Sequence, residues 1–186
     1  MVMFKKPRLN MPMQRFYAAK RGATAVEFAL LGPIFIALIL SLFEMGLVMM
    51  KITFLDDATS SASKIIYTGA ANGNAVTQQD LAVFICDNVH LFSNCEQNIT
   101  VELTPINTFS DAPTTNPTCT DSTIAATLNP VVTFDPGSAS QVMFMRVCIS
   151  TNVVTPGLGI GLGLSNSADR NRQSIVSQTA FLNEPF

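Results

Sequence analysis

The stretch KRGATAVEFALLGPIFIALILSLFEMGLVMM, Lys20 to Met50, constrains this chain more than any other. No charged side chain lies between Phe28 and Phe43, and the 23 residues from Phe28 to Met50 rise roughly 34 Å as a helix. That is enough to cross a bilayer core of about 30 Å. The flanks set the direction. Lys5, Lys6, Arg8, Arg15, Lys20 and Arg21 precede the run with no acid among them, and a basic flank stays on the cytoplasmic side. The 136 residues after Met50 are then expected outside.

Three readings of this run compete. A plain signal anchor explains its length and flanks. A cleavable secretory signal fits poorly, because the nearest small-residue cluster, Ser60 to Ser63, is about ten residues too far on. Neither explains Glu27, an acid just inside the apolar run and five residues after Gly22. A carboxylate there gains from the helix N-terminus but is costly at a membrane boundary. The third reading uses both residues. A cut between Gly22 and Ala23 gives Ala23 a free α-amine and makes Glu27 the fifth residue of the shortened chain. One helical turn then separates the two groups, so the carboxylate can pair with its own amine or with that of a neighbouring subunit. Gly22 suits such a cut because a residue without Cβ lets a protease approach the backbone.

Gly22 with Glu27 five residues on resembles the processing site of type IV prepilins. GATAVEF is similar to the form in pseudopilins of the tight-adherence (Flp/Tad) pilus system, and GATAVEFALLGPIFIALILSLFEMG resembles the TadE-like family. Two later segments also resemble that family, FDPGSASQVMFMRVCIS and the terminal TAFLNEPF, whereas the middle of the chain from Thr104 to Val132 does not. The resemblance implies a minor pilus-assembly subunit at the inner membrane. Its partners would be prepilin peptidase, the major pilin and other pseudopilins, with Gly22 and Ala23 as processing positions and Glu27 and Glu44 as assembly positions. Incorporation in an extracellular pilus is compatible with it.

Charge narrows the alternatives. Six of the 11 basic residues precede Gly22, leaving Lys51, Lys64, Arg146, Arg170 and Arg172 against all 13 acids, a formal charge of about -8. No basic face for nucleic acid remains. The expected organisation is a basic cytoplasmic leader over 1–22, a transmembrane helix over 23–50, a periplasmic helix extension and loop over 51–73, and a small extracytoplasmic domain over 74–186.

The fold class expected is α+β, a long N-terminal helix resembling a pilin spine with one short helix and an antiparallel sheet of three or four strands. Beyond Met50, Ile52, Leu55, Ala58, Ala62, Ile65 and Ile66 recur every three or four residues and carry the helix on to Gly69, so that it covers 24–68. Pro33 is expected to kink it near Ala29. Glu44, about 9 Å of rise short of Met50, can either snorkel toward water or face a partner helix. A second helix is expected over 77–90, with Thr77 as N-cap and Asp80 three residues on. Strands are expected over 98–107, 141–151 and 173–181, and a long loop over 110–135 with a short strand at 131–134. Phe84, Phe92, Phe134, Phe144 and Phe181 are the expected aromatic core.

Gly157, Gly159, Gly161 and Gly163 alternate with apolar residues in TPGLGIGLGL, which is not the dinucleotide fingerprint. It reads as a mobile apolar loop, or as one that touches the membrane surface or a neighbouring subunit. Cys86, Cys95, Cys119 and Cys148 are an even set on the outer side, where oxidation favours disulfides. Of three connectivities we select Cys86–Cys95, tying the second helix to the approach of the first strand, and Cys119–Cys148, pinning the long loop to the middle strand. A metal site is disfavoured, because no C-x-x-C occurs and His90 is the only histidine, best read as a polar residue at a helix end. No cofactor is expected. Catalytic signatures are lacking too, so an enzyme is the minority reading, behind an unprocessed, signal-anchored periplasmic structural, ligand-binding or adhesin protein.

Overall fold

The computed structural model describes residues 22–69, 76–115, 117, 119–120, 132–164 and 171–184. The chain forms two compact units, Met1–Ile39 and Leu40–Phe186. The described part of the first is the start of α1 (Ala23–Gly69), which continues without interruption through Pro33. Its apolar side chains there are exposed, Phe28 at 77% and Phe35 at 63%. It is the one helix among the described residues long and apolar enough to cross a membrane.

The second unit contains the rest of α1, α2 (Gln78–Asn88), the short α3 (Cys95–Asn98), β1 (Ile99–Ile106), β2 (Val142–Asn152), the single helical turn α4 (Gly161–Leu164) and β3 (Arg172–Leu182). The expected α+β class is what forms. The sheet has three antiparallel strands in the order β1-β2-β3. Register follows from alternation: Ile99, Val101 and Leu103 of β1 stand opposite Ile149, Val147 and Met145 of β2, and Ile149 stands opposite Ile175 of β3. All of these point to one face and are buried, as a period of two requires.

Leu55, Ala58, Ala62 and Ile66 of α1 and Leu81, Ala82 and Ile85 of α2 join that face in a single core. Phe92 belongs to it and Phe84, Phe134 and Phe181 pack at its edge. Phe144 does not, because its position in β2 sends it to the opposite face, beside Arg146 and Cys148.

Caps end the elements where the sequence placed them, within a residue or two. Thr77 Oγ1 accepts from Asp80 N at 3.2 Å while Asp80 Oδ2 accepts from Thr77 N at 3.0 Å, a reciprocal capping box. Hydrogen bonds from the Thr77 hydroxyl and backbone hold the Asp80 carboxyl below its usual range. α2 stops at Asn88, so exposed His90 lies in the following turn instead of on the helix. The short strand expected at 131–134 reduces to one parallel bridge between Phe134 and Leu103, and Val131 lies outside the described residues.

Candidate functional site

Two places on α1 carry the residues singled out in the sequence. The first is its beginning. Gly22 precedes the helix, with no atom of the described residues beyond its chain neighbours within 4 Å of where a Cβ would stand, and Ala23 is the first helical residue. Glu27 follows four residues later and is exposed, flanked by exposed Val26 and Phe28. Among the described residues nothing crowds the backbone at 22–23, and a carboxylate stands one turn, about 6 Å of rise, further on.

The second is Glu44, in the second unit, only 2% exposed. Its Oε1 accepts from Val154 N at 2.9 Å, and its Oε2 accepts from Thr155 N at 2.9 Å and from Thr155 Oγ1 at 3.0 Å. Sequence reasoning offered water or a partner helix. The carboxylate instead meets the backbone of its own chain about 110 residues away, which compensates for burying the charge.

Contacts on either side extend this clamp. Lys51 Nζ donates to Thr151 Oγ1 at 3.0 Å, and Ile160 N donates to Ser41 Oγ at 3.4 Å. The segment after β2 thus runs along α1 from Lys51 past Glu44 to Ser41, ten residues or roughly 15 Å of helix rise. Its glycines have reasons. Gly157 has a φ of +85°, and a Cβ on Gly161 would come within 2.2 Å of the Thr155 carbonyl oxygen. Leu158 N donates to Thr155 O, Gly161 N to Leu158 O, and Gly163 N and Leu164 N to Ile160 O, so the loop expected to be mobile is internally bonded. Thr155 and Ser41 were missed because backbone partners carry no sequence signature. The available signal was a lone acid in an apolar helix together with a charge-free, glycine-rich loop.

The remaining site residues are structural braces. Cys86 bonds to Cys95 and Cys119 to Cys148, with Cα separations of 5.7 and 5.4 Å. On the sheet face away from the core, buried Arg146 donates from Nε to Glu102 Oε2 at 2.8 Å and from Nη1 to Thr115 O at 2.6 Å. With the second disulfide it fastens the long loop to β2. The FDPGSAS turn and the NE of the chain's end, apart in sequence, also meet. Asn183 Nδ2 donates to Pro136 O at 3.0 Å, and Ser140 N donates to Asn183 O at 3.0 Å. Glu184 accepts from Tyr67 of α1.

By length and apolarity α1 fits a single membrane crossing. Residues 22–63 match the TadE-like protein family, in agreement with the resemblance carried by GATAVEF. The match starts at Gly22 and ends inside α1. No curated protein and no solved structure matches the chain.

Proposed function

We propose that this protein is a minor pilin or pseudopilin-like subunit of Flp/Tad-type pilus assembly, processed by prepilin peptidase between Gly22 and Ala23 and assembling through α1. The observation that carries this reading is the open Gly22–Ala23 backbone with exposed Glu27 one turn on, at the point where the family match begins. The basic leader stays in the cytoplasm, α1 crosses the inner membrane, and the braced unit lies outside. The cut supplies an α-amine at Ala23, and Glu27 offsets that charge in its own or an adjacent chain, so that helices enter one layer in register. The work of the chain is assembly, and its partners are the peptidase, the major pilin and other pseudopilins.

Intact mass of the protein from its native membrane tests this. The expected result is a chain beginning at Ala23, with processing abolished by Gly22→Ile, since a branched side chain closes the open backbone. A chain still carrying the leader in cells with active prepilin peptidase overturns the reading and leaves a signal-anchored envelope protein.

A further inference from the structure

The segment 153–164 after β2 has no charged residue, and while Val153 is buried, two of its apolar side chains are turned outward, Val154 at 59% and Leu158 at 53% exposed. It does not sit at the far end of the second unit. Glu44 and Ser41 hold it beside the last turns of the apolar run of α1, where Leu42 and Phe43 are themselves exposed at 74% and 69%. A surface that continues the flank of a candidate membrane-crossing helix has the same solvent as that helix.

Depth follows from the backbone. Irregular chain is not tolerated in the hydrocarbon interior unless its polar groups are satisfied. This segment satisfies many of them, through the Glu44 carboxylate, the Ser41 hydroxyl and the internal bonds ending in α4. It therefore suits the boundary between headgroups and acyl chains. That puts the hydrocarbon edge near Phe43, because residues 23–43 already rise roughly 31 Å. Lys51 stands about two turns further out, where an ammonium meets water and headgroups.

We infer that residues 153–164 are a membrane-interface loop, with Val154 and Leu158 inserted among the lipids beside α1 and Glu44 as the residue that sets the loop's level. This goes beyond assembly through the helix: the second unit itself rests on the bilayer, which fixes its orientation. The inference depends on α1 crossing the membrane and not on the cut at Gly22, so it is tested on the uncut Gly22→Ile chain.

The experiment places a fluorophore on Leu158→Cys in the full, disulfide-intact chain, reconstituted in phosphatidylcholine and phosphatidylglycerol vesicles. Exposed Glu96→Cys serves as the control site. Brominated lipids are expected to quench the label at 158 several-fold more than at 96, and aqueous iodide to quench it several-fold less. Adding Glu44→Gln is expected to reduce the bromolipid quenching at 158. Equal iodide quenching at both sites overturns the proposal. So does protection from iodide that grows with protein-to-lipid ratio without bromolipid quenching, which places a second copy of the chain over the loop. Quenching unchanged by Glu44→Gln removes Glu44 as the level-setting residue.

Discussion

Glu44 interrupts an apolar run, and the cost of holding a carboxylate there is offset by two backbone N–H groups and one hydroxyl. Hydrogen bonds to a charged group contribute about 1.5–3 kcal/mol each and do not add, so Glu44→Ala is expected to destabilise the second unit by about 3 kcal/mol. Urea midpoints in detergent micelles measure this, and a change below about 0.5 kcal/mol would show the clamp to be incidental. Asp80 supplies a pH dependence. Its folded-state carboxyl lies below the usual range, so the capping box stabilises α2 above the ordinary carboxylate value, and the contribution is lost as pH falls through the lowered one. Amide exchange in α2 should quicken over that acid window in the native chain and show no such step in Asp80→Asn. Thr77→Ala should cost about 1 kcal/mol at neutral pH. The capping pair was legible because it is a local pattern of fixed spacing. Partners of Glu44 were not, since any two amides in the chain look alike.

Elements were legible where their period was unbroken. The apolar stripe Leu55, Ala58, Ala62, Ile66 carried α1 to Gly69, and Ile99, Val101, Leu103 gave β1 its inward face. β2 was found, but not that its second face is buried too: Arg146, Cys148 and Ser150 are covered. Thr115 and Cys119 of the long loop, whose Thr- and Pro-rich sequence has no period to announce it, meet Arg146 and Cys148, and Arg172 of β3 meets Ser150. α4 was unreadable for the same reason, a turn made of Gly161, Leu162, Gly163 and Leu164 with no amphipathic pattern. The bond between Cys119 and Cys148 is what holds this cover at the sheet. Replacing both cysteines by serine should cost about 3–4 kcal/mol, from the loop-closure entropy of a 29-residue separation. Denaturant unfolding of the paired variant reads this directly, and a stability equal to the native chain would mean that Arg146 with Glu102 and Thr115 suffices.

For the whole molecule, the boundary between compact units falls at Ile39 and Leu40, inside the helix and well before Met50. Residues 40–69, nearly two-thirds of α1, therefore belong to the second unit, and Leu55, Ala58, Ala62 and Ile66 among them to its core. A fragment of residues 48–186 is expected to fold with both disulfides, because it keeps Leu55, Ala58, Ala62 and Ile66. A fragment of 76–186 is expected to aggregate, since it leaves one side of that core uncovered. Circular dichroism and size-exclusion chromatography distinguish the two, and a stable, monomeric 76–186 would show that the helix is dispensable to the domain. The four cysteines, finally, are joined in the order in which they occur, first to second and third to fourth, with no crossing. Oxidation of the thiols in chain order yields both native bonds, so reaching the covalent form requires no disulfide isomerisation.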